Sequence, residues 1–305
     1  MNIKKMYESS AKIRNDKMSN IIYKFNKLIL NLLYDRCTQK FSGVDDTSDI
    51  IVSLTSFPAR IDKVHKVIKT LLNQSVRPKK VILWLAEDEF PNKDADLPQQ
   101  LLDLKKYGLT ISYCENLFSH KKYYGTLRDY PECDLITVDD DVFYPENMIE
   151  NLIKGRKQHP GCICANICNL FQLDDDGDVY SYDKWDYIYD TSYASIAVFP
   201  VGMGGVLYSR GLLNKEVLNA DTMKETAKTV DDLWLRAMGI LNKSKAVVCN
   251  DLKKPYFTLF GTKKNALYHR NVGGNGSKDA WAKIMKKYPQ CREILLDEYQ
   301  REKDY

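Results

Sequence analysis

Three successive carboxylates follow a short apolar run in the stretch Asp134-Leu135-Ile136-Thr137-Val138-Asp139-Asp140-Asp141-Val142-Phe143-Tyr144-Pro145. The apolar run is typical of a strand in the middle of a covered sheet, and Pro145 ends it. Ligands of open α/β sheets bind at the carboxyl ends of the strands. On an extended backbone, Asp139 and Asp141 point to one side and Asp140 to the other. Two carboxylates on one side suit a hard divalent ion such as Mg²⁺ or Mn²⁺, although a solvated acidic turn would have the same sequence.

The segments around this stretch alternate between strand and helix patterns. Strand patterns cover residues 49–54, 81–85, 109–113, 135–138, 161–170 and 246–249. Helix patterns cover residues 61–74, 98–107, 120–130, 145–157, 212–218 and 278–288. This order predicts an α/β fold with a mainly parallel central sheet, right-handed crossovers and flanking helices. We expect one such domain over residues 49–290, preceded by a basic segment at residues 1–48 and followed by a charged tail at residues 291–305.

The N-terminal segment differs from the rest of the chain in charge. The formal net charge is +4, and the first forty residues hold nine Lys or Arg against three acids, so they carry +6 and the remainder −2. This asymmetry argues against a nucleic-acid-binding protein with a basic face throughout. An apolar repeat at helical spacing predicts an amphipathic helix over residues 21–33. The repeat consists of Ile21, Ile22, Phe25, Leu28, Ile29, Leu32 and Leu33. Such a helix could cover the rest of the protein, pair with a second copy, or lie on an anionic membrane surface.

The location of the protein is predicted from what the sequence lacks. No uninterrupted apolar run reaches the roughly 18 residues needed to span a bilayer, and the N-terminus has no apolar signal-peptide segment. The eight cysteines agree with a reducing compartment, and none of them has the two-by-two spacing of a zinc site. These features predict a cytoplasmic protein, which would be peripheral at the inner face of the membrane if the N-terminal helix binds lipid.

Three further segments place polar, basic or glycine residues in a turn or at the start of a helix. Thr55 and Arg60 lie in the turn after the first predicted strand, and Lys121 and Lys122 begin the helix before the acidic stretch. The glycines of Gly202-Met203-Gly204-Gly205 let the backbone approach a ligand closely, and a tight turn would use the same residues.

Acidic and aromatic side chains complete the set of candidates. Asp231 and Asp232 follow Thr229, a pattern that fits either a proton-abstracting base or a capped helix N-terminus. Trp185 and Trp234 could stack on a sugar ring or lie in the core.

These segments, in this order, resemble the motifs of glycosyltransferases with the GT-A nucleotide-sugar-binding fold and a DxD-type motif. The resemblance covers roughly residues 49–280, and the chain is most similar in pattern to family 2-like bacterial enzymes that build lipopolysaccharide or capsule. It implies a metal-dependent, hexosyltransferase-like enzyme with Mn²⁺ or Mg²⁺ as the cofactor. The enzyme would transfer a sugar from a nucleotide-sugar donor to a glycan or lipid-linked glycan acceptor.

The resemblance also implies roles for individual residues. Metal binding falls to Asp141, Asp139 and His269. Donor binding falls to Thr55, Arg60, Lys121, Lys122, Asp139 and Asp140. Acceptor binding falls to Gly204, Gly205, Trp185 and Trp234. Asp232, in preference to Asp231, would remove the proton from the acceptor hydroxyl.

Two other classes of protein remain open at this point. Nucleotidyltransferases and other metal-dependent phosphotransferases also place paired aspartates after a strand, although the chain has no glycine-lysine phosphate loop of the Walker type. A noncatalytic scaffold that binds a membrane assembly through residues 21–33 is the second alternative.

Overall fold

The computed structural model describes residues 2–11, 16–36, 41–173, 179, 184–250, 256–262 and 276–303. Its strands are β1 (Ile50–Thr55), β2 (Lys80–Ala86), β3 (Leu109–Cys114), β4 (Asp134–Thr137), β5 (Val142–Phe143), β6 (Ile163–Ala165), β7 (Cys168–Leu170), β8 (Asp186–Ile188), β9 (Ala194–Ser195), β10 (Val198–Pro200), β11 (Val206–Tyr208), β12 (Ala246–Val248) and β13 (Phe257–Thr258). Its helices are α1 (Ile3–Ala11), α2 (Asp16–Leu33), α3 (Ile61–Leu71), α4 (Gln99–Leu102), α5 (Lys121–Asp129), α6 (Met148–Gln158), α7 (Ala220–Thr226), α8 (Asp231–Leu241), α9 (Gly276–Lys287) and α10 (Gln290–Lys303).

The central sheet has eight strands within the described residues, in the order β3-β2-β1-β4-β11-β6-β12-β9. The pairs β2 with β3, β1 with β2, β1 with β4, and β6 with β12 are parallel. Only β11 and β9 run antiparallel to their neighbours. The predicted α/β fold with a mainly parallel sheet flanked by helices is therefore confirmed.

The sheet separates two apolar cores because successive side chains of a strand point to opposite faces. In β4, Ile136 packs in the core that contains Val64 and Ile68 of α3, whereas Leu135 packs in the core that contains Leu233 of α8. Both faces of the central strands are thus covered, which explains why their sequences are apolar throughout rather than alternating.

One predicted strand is two strands in the structure. Residues 161–170 were expected to form a single strand, but β6 joins the central sheet and β7 pairs with β10 and β8 in a separate antiparallel sheet. The chain changes sheet at Asn166, whose side-chain amide donates to the carbonyls of Met148 and Gly204. Strand β10, the partner of β7, leads directly into the glycine turn at residues 202–204.

The two N-terminal helices pack against the body of the protein. Ile3, Tyr7, Leu30 and Tyr34 are buried in the same core as β1 and α3. The backbone amides of Ile3 and Lys4 donate to the carboxylate of Glu146, which caps α1 from a distant part of the chain. The predicted amphipathic helix is present and longer than expected, and no helix of the described residues has the length and apolar character needed to cross a lipid bilayer.

The chain end also differs from the predicted charged tail. Residues 290–303 form α10, in which Cys291 and Leu295 are buried in the core beside α8. The carboxylate of Glu298 accepts hydrogen bonds from the hydroxyl of Ser195 and the amide of Ile196. Those distant partners explain why an apparently polar sequence folds against the domain.

Candidate active site

Charged side chains from four parts of the chain meet at the carboxyl end of β4. The acidic segment Asp139–Asp141 directly follows this strand, Arg60 follows β1, Lys122 lies in the first turn of α5, and Asp231 and Asp232 begin α8. The carboxyl ends of β1 and β4 lie side by side because these strands are parallel neighbours. The predicted ligand-binding edge of the sheet is therefore where the predicted acidic residues converge.

Arg60 holds two of the three aspartates. Its Nη1 donates to Oδ1 of Asp140 at 2.5 Å, and its Nη2 lies 3.3 Å from Oδ2 of Asp141. Asp140 is buried and also accepts a hydrogen bond of 2.6 Å from the hydroxyl of Ser56. Asp140 thus anchors the segment. Because β4 ends at Thr137 and residues 140 and 141 lie in a turn, the alternation expected of an extended backbone does not hold: Asp140 and Asp141 share Arg60, whereas Asp139 contacts Lys122.

The third aspartate, Asp139, pairs with Lys122, which has three carboxylate partners in the site. Lys122 Nζ lies 3.0 Å from Oδ1 of Asp139, 2.6 Å from Oδ2 of Asp231 and 3.8 Å from Oδ1 of Asp232. Burial lowers the pKa of Lys122, but the three carboxylates outweigh this effect and raise the pKa well above its usual value. The buried ammonium therefore stays charged and links the acidic segment to the start of α8.

Asp231 and Asp232 have opposite electrostatic environments although they are adjacent. Burial raises the pKa of Asp231, but the charges of Lys122 and His120 outweigh it and the net shift is downward. Asp232 keeps 28% of its side chain exposed and accepts a hydrogen bond of 3.0 Å from the amide of Gly202. Burial and the charge of Asp231 raise the pKa of Asp232 to about 8. Asp232 is therefore the member that can both reach a substrate and exchange a proton near neutral pH.

Asp141 is also short of compensating positive charge. Burial, together with the charges of Asp140 and Asp139, raises its pKa to about 6 despite the opposing effect of Arg60. Five carboxylates of the site have only Arg60 and Lys122 as ion-pair partners among the described residues. This excess negative charge, carried by hard oxygen donors, fits a divalent cation such as Mg²⁺ or Mn²⁺.

The described residues supply only part of a metal site. Among them, no three His, Cys, Asp or Glu side chains are grouped so as to hold a metal ion. Asp139 and Asp141 are partly exposed and could act as ligands. The third predicted ligand, His269, lies outside the described residues.

Two predicted donor-binding residues have other partners in the structure. Lys121 Nζ lies 3.2 Å from a carboxylate oxygen of Glu89 and takes no part in the network of Lys122. The hydroxyl of Thr55 donates to the carbonyl oxygen of Trp84 on the neighbouring strand β2. Donor binding by these two residues stays a prediction.

The glycine turn contacts Asp232 directly, which was not predicted. A Cβ atom at Gly202 would lie 2.5 Å from Oδ1 of Asp232, so glycine is needed for the amide to bind this carboxylate. Gly204 is packed against Ile167, and Gly205 has a φ of +84°, which favours glycine. Their predicted contact with an acceptor stays a prediction.

The two tryptophans predicted to bind the acceptor lie in the core instead. Trp234 is fully buried and its indole N–H donates to the carbonyl of Val217, while Trp185 packs edge-on against Phe171 and Phe199. Neither ring offers a face on which a sugar could stack. Both rings fill the apolar core between α8 and the antiparallel sheet of β7, β8 and β10.

Several residues of the site escaped the sequence analysis. The hydroxyl of Tyr144 accepts a hydrogen bond from the amide of Asp139, and the carbonyl of Thr262 accepts one from Arg60. Ser56 and His120 were likewise given no role, and Gly202 was expected to let the backbone approach a ligand rather than to bind Asp232. Tyr144 lies inside the acidic stretch and Ser56 lies in the turn between Thr55 and Arg60, which is a usable signal, whereas Thr262 has no nearby motif that would indicate it.

Comparisons with known proteins give weak structural similarities and no sequence family. No protein-family model matches the chain, and no curated protein matches its sequence. A mannosyltransferase from Pyrobaculum calidifontis, in complex with GDP-Man and Mn²⁺, is similar with a TM-score of 0.49 at 12% identity over 95% of this chain and 79% of that chain. The inositol-1-phosphate CTP transferase from T. maritima has a TM-score of 0.44 at 9% identity over 77% of this chain and 95% of that chain. TarS from S. aureus in complex with UDP has a TM-score of 0.39 at 12% identity over 68% of this chain and 59% of that chain. Because each TM-score is below 0.5, the function of this chain is inferred from its own site.

Replacing Lys122 by methionine should destabilise the protein by about 3–5 kcal/mol, because three carboxylates lose their shared buried cation. The free energy of unfolding in urea at pH 7.5 measures this loss. Lys121→Met is the matched control, since Lys121 is equally buried in the same helix turn but pairs with a single, partly exposed carboxylate. Adding Asp231→Asn to Lys122→Met should restore part of the stability. An equal loss in the two lysine variants would contradict the proposed network.

Proposed function

We propose that the protein is a metal-dependent glycosyltransferase that moves a sugar from a nucleotide-sugar donor to a hydroxyl group of a glycan acceptor. The observation that carries this proposal is the link from Asp139 through Lys122 to Asp232. It joins a group of carboxylates suited to a metal-bound diphosphate to a partly exposed carboxylate suited to act as a base. A transfer between a sugar nucleotide and an alcohol needs both parts close together.

The donor end of the site is assigned to the acidic segment. Asp139 and Asp141 would hold Mn²⁺ or Mg²⁺, while Arg60 and Ser56 keep the segment in place through Asp140. When bound, such an ion offsets the negative charge that develops on the departing nucleoside diphosphate. Phe57 lies 5.4 Å from the guanidinium of Arg60 and adds an apolar surface beside it.

The acceptor end of the site is assigned to Asp232. Its carboxylate would accept the proton of the acceptor hydroxyl as that oxygen attacks the anomeric carbon of the donor. The amide of Gly202 orients the carboxylate, and Lys122 with Asp231 fixes the start of α8 around it. We propose a bacterial surface glycan, lipopolysaccharide or capsule, as the acceptor class.

Binding of the donor is tested by thermal unfolding with UDP, GDP, CMP and dTDP sugars, with Mn²⁺ and with EDTA. One nucleotide class should stabilise the wild-type protein in a metal-dependent manner, by about 2.7 kcal/mol at a hundredfold excess over its dissociation constant. Asp141→Asn should remove this stabilisation. Asp129→Asn, an exposed aspartate paired with Arg128, is the control and should retain it. Stabilisation and turnover with nucleoside triphosphates alone would favour a nucleotidyltransferase, and no stabilisation by any nucleotide would contradict the proposal.

The role of the base is tested by Asp232→Asn, which should lower kcat for transfer by about 10²- to 10⁴-fold because the amide cannot accept the acceptor proton. Donor binding by thermal unfolding should be nearly unchanged. The control is Asp62→Asn, which also removes an aspartate from the first turn of a helix but at an exposed position in α3. Full activity in the Asp232 variant would assign the base to another residue.

The pH profile gives an independent test of the same carboxylate. Because Asp232 acts only when deprotonated and its pKa is raised to about 8, kcat/KM for the acceptor should rise about tenfold per pH unit below pH 8 and level off above it. The residual activity of Asp232→Asn should lack this ionisation. A wild-type profile that is flat from pH 6 to pH 9 would be inconsistent with Asp232 as the base.

A further inference from the structure

Helix α2 exposes an apolar face. Of the eleven large hydrophobic residues that are exposed within the described ranges, six belong to this helix, each with 40% to 62% of its surface accessible. They are Met18, Ile21, Phe25, Leu28, Leu32 and Leu33. Spacings of three and four residues place the first five on one side of the helix. A contiguous patch of this kind on a protein surface marks an interaction site.

The opposite side of α2 shows that this exposure is not a consequence of poor packing. Ser19 and Asn26 are buried, and they donate hydrogen bonds to the carbonyls of Ser10 and Met6 in the preceding helical segment. Leu30 is buried beside them. The helix therefore satisfies buried polar groups on its inner face and presents its largest apolar side chains to the outside, the reverse of an ordinary surface helix.

Lysines flank this face of α2. Lys17 and Lys24 are exposed, and each lies four residues before an exposed apolar residue, Ile21 and Leu28. The sequence contains no acid between Lys17 and Tyr34. Lys27 lies over the ring of Phe260, which is itself 43% exposed and borders the same helix. The face thus combines apolar side chains with flanking lysines, in an N-terminal segment of forty residues that carries a net charge of +6.

We propose that α2 binds the surface of an anionic lipid bilayer, with Ile21, Phe25 and Leu32 inserted among the acyl chains and the lysines on the lipid phosphates. Pairing with a second copy would bring together two N-terminal segments that each carry a net charge of +6, which is unfavourable. Anionic lipids supply the missing negative charge and an apolar phase for the exposed side chains.

A short segment of chain connects this helix to the acidic site. Asn31 of α2 accepts a hydrogen bond from the amide of Phe260 and donates one to the carbonyl of Thr258. Between these two residues, the amide of Leu259 donates to the carbonyl of Asp141. Bound at a bilayer, α2 would hold the acidic site beside the lipid surface. If the proposed transferase activity is correct, the acceptor is then a lipid-linked glycan in that surface.

Flotation of the full-length protein with lipid vesicles tests the proposal without any nucleotide. The protein should bind vesicles with phosphatidylglycerol and bind vesicles of phosphatidylcholine alone more weakly. The triple variant Ile21→Ser, Phe25→Ser and Leu32→Ser should lower the partition coefficient at least tenfold. The double variant Lys17→Gln and Lys24→Gln should lower the partition coefficient about fivefold for each lysine. Added salt should also lower the partition coefficient.

Matched control variants distinguish binding through this face of α2 from nonspecific adsorption to the vesicles. Tyr107→Ser with Phe118→Ser removes other exposed rings, and Lys243→Gln with Lys283→Gln removes other exposed charges, so both should bind like wild type. Circular dichroism confirms that the variants remain folded. Absence of binding at low salt, or unchanged binding in the triple variant, would overturn the proposal. So would a dimer in sedimentation equilibrium that the triple variant abolishes, because the face would then belong to a second copy.

Discussion

The contacts of Lys122 constrain the rest of the site. A single buried ammonium lies between carboxylates from the end of β4 and the start of α8, and neither the ammonium of Lys122 nor the carboxylate of Asp231 could stay buried and charged without the other. Helix α5 must therefore sit where its first turn reaches both. Its position is fixed by Thr126, whose hydroxyl contacts the hydroxyl of Ser53 in β1 and accepts a hydrogen bond from the indole N–H of Trp84 in β2. The electrostatics of the site thus depend on the packing of one helix against the sheet.

Two cations divide the five carboxylates into groups with different properties. Arg60 fixes Asp140 as a buried anchor and leaves Asp141 partly compensated, whereas Lys122 compensates Asp231 far more than Asp232. Burial raises the pKa of all four, so their differences arise from the balance between nearby cations, which lower the pKa, and neighbouring carboxylates, which raise it. This uneven distribution is what suits one end of the site to a metal ion and the other to proton transfer.

The N-terminal helices are connected to the acidic site through a short segment of chain. Residues 256–262 contact α2 on one side and reach Asp141 and Arg60 on the other. The surface proposed to bind lipid and the site proposed to bind a sugar nucleotide are therefore separated by one strand and its turn. Such a layout would suit chemistry on an acceptor that cannot leave the membrane.

The sequence by itself determined the α/β order, the parallel arrangement around β1, the position of Asp139–Asp141 after a strand, and the amphipathic helix, because these follow from local periodicity. The tertiary structure decided which partner each side chain meets. Lys121 and Lys122 are adjacent and chemically identical, yet a rotation of about 100° per helical residue sends one to Glu89 and the other to three aspartates. Likewise, the tertiary structure buries Trp234 in the core and packs α10 against the domain. Burial and charge pairing depend on residues far apart in the chain, which no local pattern specifies.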